Sequence, residues 1–205
     1  MNSTVECQFY HKIGSCRHGN KCIRLHSQPE NSPVLVFESI LNQLHTNQLD
    51  SQTNFNSNSN RNTNNGTKGQ HYPGYSFKAP TEPLRLSPEV LNMLRELFIE
   101  IAIIAPIKEI MVAGNTSPHL LGFVYISFDN EQDAAKVLEI VSNRWFDNRP
   151  IFAHYLPAKN IGATLCRDNY RCRRGLDCNY VHPVKDIPLT FWNELFSAQL
   201  KSYLC

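Results

Sequence analysis

The chain has 205 residues and a formal net charge of +2, with 20 Lys and Arg against 18 Asp and Glu. That length suits one ordinary domain plus small modules, and so mild a balance gives no global field marking a nucleic-acid binder. No apolar run approaches the roughly 20 residues of a membrane span, and the opening MNSTVECQFYHK lacks the apolar core of a signal peptide, so a reducing interior is expected.

Cys7, Cys16, Cys22 and His26 come first, with eight, five and three residues between them. Three thiolates and one imidazole are a closed structural donor set for zinc. His18 is a rival ligand, and spacing favours His26. The few apolar side chains nearby make no core, so the metal is expected to supply the folding free energy, on the order of 10 kcal/mol. Lys12, Arg17, Lys21 and Arg24 fall in this stretch, which holds no acid.

Val34 to Leu41 (VLVFESIL) is branched and aromatic and reads as a strand. From Asn47 to Asn65 eight of nineteen residues are asparagine, and a disordered insert is expected at about 45–83. Ser87-Pro88-Glu89 then opens a helix: a serine cap, proline in the first turn and an acid at the positive dipole end. Leu91, Leu94, Leu97, Phe98, Ile101 and Ile104 share one face, and Pro106 ends it. Strands are expected at Ile107–Ala113, Leu120–Phe128 and Pro150–Leu156. Between the last two lies a helix capped by Asp129 or Asn130, with Ala134, Val137, Leu138 and Val141 inward, and then a loop from Asn143 to Arg149.

A second metal-ligand set follows at Cys166, Cys172, Cys178 and His182, with gaps of five, five and three. Both sets read Cys-Arg-x-Gly-x-x-Cys, and the shared glycine predicts a turn at positive φ. Six of the seven cysteines are thus taken in two Cys3His sets, an odd pattern for a disulfide framework. Four protein ligands leave no open coordination position, and there is no P-loop or nucleophile constellation, so an enzyme is not expected. Leu189 to Leu204 reads as a helix with more apolar surface than a free helix should show.

The order strand, helix, strand, strand, helix, strand is that of an RNA-recognition-motif domain. The expected fold is therefore α+β. An RNA-recognition-motif-like βαββαβ domain over 33–157 is flanked by metal modules at 1–30 and 160–186, with a helix over 187–205. Phe123 and Tyr125 lie on one face of the third expected strand, either open to bases or covered by the chain itself. Glu89, Glu96 and Glu100 form a helical stripe, either a solvated edge or a dock for a basic peptide. Arg144-Trp145-Phe146 offers binding anchors, or one ring plugs the core.

The stretch CQFYHKIGSCRHGNKCIRLH, the strand LLGFVYISF, the loop NRWFDNRPI and the second Cys3His set together resemble the small subunit of the U2 snRNP auxiliary factor. The resemblance implies two structural zinc ions and a central U2AF-homology motif. It implies a nuclear pre-mRNA splicing factor, whose fingers bind the AG at the intron 3′ splice site. It also implies a large-subunit partner held through a tryptophan-bearing peptide, with Phe146 and Arg144 forming the pocket. Trp145 would insert into the partner, and Glu96 and Glu100 would meet basic residues beside the peptide tryptophan. No membrane or small-molecule substrate is expected. For RNA, Phe9, Tyr10, Tyr170 and Tyr180 are candidate stacking rings, and Arg17, Lys21, Arg24 and Arg173 candidate phosphate or base contacts. The alternative is a CCCH mRNA-binding protein in decay or 3′-end processing.

Overall fold

Ser87 is extended (φ −79°, ψ 162°), and its hydroxyl accepts a hydrogen bond from the Val90 amide, starting α2 over Pro88–Ala102 as the cap signal predicts. Asn130 caps α3, Glu131–Val141, by accepting from the Asp133 amide at 2.8 Å. The computed structural model describes residues 5–41, 84, 86–168 and 171–204. The insert expected at about 45–83 and Tyr170 lie outside them.

Four strands form an antiparallel sheet in the order β2–β3–β1–β6: β1 is Val34–Phe37, β2 Glu109–Val112, β3 Val124–Ser127 and β6 Ala153–Tyr155. Every strand is shorter than the apolar run that signalled it. β1 stops at Phe37, and Ser39 turns the chain at φ 48°. The expected loop at 143–149 contains a small hairpin, β4 (Trp145–Phe146) with β5 (Arg149–Pro150), turning at Asp147 and Asn148 with φ 46° and 61°. Positive φ at both central residues suits a two-residue hairpin, and Asp and Asn tolerate it.

All residues of β1 and β3 are buried, because both faces of the sheet are covered. Leu35, Phe37, Val124 and Ile126 face α2 and α3 in the main core. Val34, Val36, Met111, Phe123 and Tyr125 belong to a second core with Ile13, Leu156, Ile161 and Val181. Ile13 ends α1 (Gln8–Ile13) in the first metal module, and Val181 lies in the second. This corrects the expectation that the modules contribute no core. It also decides the open question about Phe123 and Tyr125: the chain covers them.

The last helix, α4 over Leu189–Leu204, packs on α2. Phe191 and Leu195 enter the main core, and Phe196 meets Phe98 edge-on at 5.1 Å. Gln199 acts as a surrogate strand partner: its Oε1 accepts from the Ile107 amide at 2.8 Å and its Nε2 donates to the Ile107 carbonyl at 2.9 Å. Both bonds are buried, so Gln199→Leu strands two backbone groups. Urea or thermal unfolding should show a loss on the order of 2 kcal/mol, a drop of roughly 4–8 °C in the thermal midpoint.

Candidate metal centres and adjoining grooves

The two repeats fold alike around their cysteines. The Cys7 amide donates to the Leu25 carbonyl at 2.9 Å, and the Cys166 amide donates to that of Val181 at 3.0 Å. Each bond sets the residue before the histidine beside the first cysteine. Gly19 and Gly175 take the expected positive φ, 47° and 55°. They donate to the Cys16 and Cys172 carbonyls at 2.8 and 3.0 Å, closing the turn between the second and third cysteines. In the first module the longer gap is filled by α1, ended by Gly14 at φ 68°. A Cβ on Gly14 would lie 2.9 Å from Val36 Cγ2, so only glycine lets α1 approach the sheet this closely.

The ligand atoms of Cys7, Cys16, Cys22 and His26 all lie within 4.8 Å of one another, as do those of Cys166, Cys172, Cys178 and His182. His26, not His18, completes the first set. His26 Nε2 and His182 Nε2 are buried with no hydrogen-bond partner among the described residues, a deficit that a metal bond would remove. Burial pushes the Cys16 and Cys178 thiols up to about 11 and lowers both histidines. Neutral imidazole is the metal-binding form, and a divalent cation would reverse the cost of forming thiolates. The donor set therefore fits zinc.

Behind the first set, Tyr10 stacks on His26 at 4.3 Å with a 4° interplanar angle. Tyr10 is also nearly parallel to His154, whose two ring nitrogens lie 3.1 Å from the Glu38 carboxylate and 3.0 Å from the Gly14 carbonyl oxygen. The face of Tyr10 on His26 is thus unavailable to a base. The Tyr125 hydroxyl, buried beneath α1, donates to the Ile13 carbonyl at 2.8 Å and fixes the module to the sheet.

Where the modules meet, a cleft of about 390 Å³ is lined by Lys12, Leu165, Arg167, Asp168, Arg174 and Tyr180. Lys12 Nζ stands 5.8 Å from the Tyr180 ring centre, and Phe9 lies against the same ring at 5.8 Å. Arg17 donates to the Asp177 carbonyl at 3.2 Å, crossing from one module to the other. Lys21, Arg24 and Arg173 are exposed nearby in the chain. Neither Lys12 nor Arg167 nor Arg174 is among the candidate RNA contacts read from the sequence. Their convergence depends on how the modules dock, which spacing does not encode.

On the opposite side, α2, α3 and the hairpin enclose a groove of about 590 Å³. It collects Glu96, Glu100, Arg144, Trp145 and Phe146; Glu89 is not among its lining residues. Adjacent hairpin residues point opposite ways. Phe146 packs against the main core, while Trp145 is 71% exposed. Arg144 Nη1 meets Glu100 Oε2 at 2.9 Å. Asp147 and Ile99 also line the groove and were not anticipated.

The family model for zinc fingers of C-x8-C-x5-C-x3-H type matches residues 2–28. The chain is 30% identical to a U2af small-subunit splicing factor of Arabidopsis thaliana over 203 residues, covering 97% of this chain and 62% of that protein. It is 32% identical to the splicing factor U2AF 26 kDa subunit of Homo sapiens over 180 residues, covering 87% of this chain and 72% of that protein. To the splicing factor U2af 38 kDa subunit of Drosophila melanogaster it is 31% identical over 201 residues, covering 97% and 68%. The chain spans about 60% of the length of the plant relatives it matches.

The Arg144 and Glu100 side chains are 51% and 59% exposed, so their ion pair is solvated. Glu100→Gln should change unfolding free energy by less than about 1 kcal/mol in urea titration, which leaves the variant usable for binding measurements.

Proposed function

The chain belongs to the small-subunit family of the U2 auxiliary splicing factor, and from that membership we propose that it is a nuclear, zinc-binding RNA adaptor that reads the AG at the 3′ end of introns. The observation that carries this reading is the docking of two Cys3His modules side by side on one sheet face, with cations of both lining one cleft. Zinc, held by Cys7, Cys16, Cys22 and His26 and by Cys166, Cys172, Cys178 and His182, supplies rigid closure of each module when bound. The protein's own side chains do the recognition. Lys12, Arg167 and Arg174 offer charge for phosphates, and Tyr180 and Phe9 offer aromatic surface beside them. Arg17, Lys21, Arg24 and Arg173 extend that charge outside the cleft. The usual stacking face of the sheet is taken, since Tyr125 is fully buried, so RNA contacts fall to the modules.

A two-base signal supports only ~1–3 kcal/mol of discrimination per good base contact. Tethering to a partner bound next door raises effective concentration without new contacts. The groove on the far face fits that need. Its apolar wall suits one large aromatic side chain between Phe146 and Arg144, and Glu96 and Glu100 suit basic flanks, as in a tryptophan-bearing peptide of the large subunit. The exposed Trp145 is free to enter the partner in turn.

RNA ending in AG should bind the zinc-loaded chain at least roughly tenfold more tightly than a CG control, and more tightly still with the large subunit present. Equal affinity for both, read by fluorescence anisotropy, overturns the splice-site reading. Trp145→Ala should weaken the heterodimer by about tenfold or more in calorimetry while zinc content stays the same. An unaltered dimer constant would remove the hairpin from the interface.

A further inference from the structure

The second module differs from the first in what frames it. Its gap from Cys166 to Cys172 is five residues, against eight from Cys7 to Cys16, and among the described residues no α-helix fills it. A framework comes instead from the end of β2. The Val184 amide donates to the Val112 carbonyl at 3.0 Å, and the Gly114 amide to that of His182 at 2.7 Å. Gly114 leaves room for this approach: a Cβ there would make tight contacts of 3.1 Å with the His182 carbonyl oxygen and 3.3 Å with the Val184 amide nitrogen.

Next in sequence is Asn115, a fully buried polar residue on the β2–β3 loop. Its Nδ2 donates to the carbonyls of Cys178 and Tyr180, both at 3.0 Å. Its Oδ1 accepts from the His182 amide at 2.9 Å. One amide thus grips three positions of the module, two of them ligand-bearing residues. The chemistry is selective, since only a side chain carrying both a two-proton donor and an acceptor satisfies this arrangement. The first module is attached differently. Tyr125 and His154 of the central domain meet the Ile13 and Gly14 carbonyls, and Ser15 donates to the His119 carbonyl; none of these bonds involves a ligand residue.

We propose that Asn115 is a positioning residue for the second Cys3His set: its amide holds the Cys178–His182 segment in ligating geometry, so that retention of metal there, and not at the first set, depends on this side chain of the central domain. This rests on the reading of Cys166, Cys172, Cys178 and His182 as metal ligands. Outer partners that orient ligands commonly change metal affinity by about 10–100-fold when removed.

The test uses the full chain loaded with zinc. Zinc is counted by native mass spectrometry, and modification by iodoacetamide is followed at each cysteine by peptide mapping. The parent should carry two zinc ions, with both cysteine sets protected. Asn115→Asp keeps size and the acceptor but sets a carboxylate oxygen against two carbonyls. It should expose Cys166, Cys172 and Cys178 at least roughly tenfold faster, while Cys7, Cys16 and Cys22 react as in the parent. Asn115→Ala should move the same set in the same direction. A parent with fewer than two zinc ions overturns the ligand reading and this inference with it. Two ions in the parent with unchanged protection in both variants overturns the inference alone. So does equal exposure of both sets, which would make Asn115 a general folding residue.

Discussion

Burial of Tyr125 is the constraint on which the arrangement depends. A four-stranded antiparallel sheet can leave one face to water, and this one does not. Tyr125 and Phe123 give that face a large apolar area, and the Tyr125 hydroxyl needs a buried partner. The Ile13 carbonyl supplies it, but only because Gly14 ends α1 and lets the first module come within contact of Val36. Val181 and Ile161 complete the cover from the second module and the segment before it. The modules are therefore part of the fold of the central domain, rather than beads tethered to it.

That cover divides the work between two faces. With one face sealed by the modules, the sheet itself offers no open surface there, and the basic side chains stand on the outer surface of the modules. The helical face keeps its own groove between α2, α3 and the hairpin, and α4 does not fill it. Instead α4 packs along α2, capped into place by Gln199 on the Ile107 backbone. The two candidate binding surfaces lie on opposite sides of one sheet. Strands β1 and β3, buried on both faces, form the layer between them.

Much of this was legible in the residues because it is local. The Ser87 cap, a second cap at Asp129 or Asn130, the paired glycines at positive φ and the two ligand sets are written in short spacings; the structure takes Asn130 for the second cap, sets both glycines at positive φ and clusters both ligand sets. The span of α4 was equally clear from its apolar density. What could not be read depends on assembly. Val34–Leu41 looked like one long strand because apolar residues continue past Phe37, yet Ile40 and Leu41 go on into the core after the turn at Ser39. The hairpin at 145–150 was missed although Asp147-Asn148 carries the residues its turn requires. Convergence of Lys12 with Arg167 and Arg174 follows from docking across 150 or so residues of sequence, and no periodicity reports it.

Tyr10 shows how the two levels meet. As a sequence feature it is an aromatic ring beside basic residues, as suited to a base as Phe9. In the fold its ring lies flat on His26 and nearly parallel to His154, which itself spans the Glu38 carboxylate and the Gly14 carbonyl. The same ring thereby orients a ligand histidine and rests it against the sheet. The candidate ligand set and the docking of the first module share these contacts. The second module has its counterpart in Asn115, which reaches its ligand residues through their backbone rather than through a stacked ring. Two copies of one motif are thus seated on one sheet by different physical means, an aromatic stack in the first and a buried amide in the second.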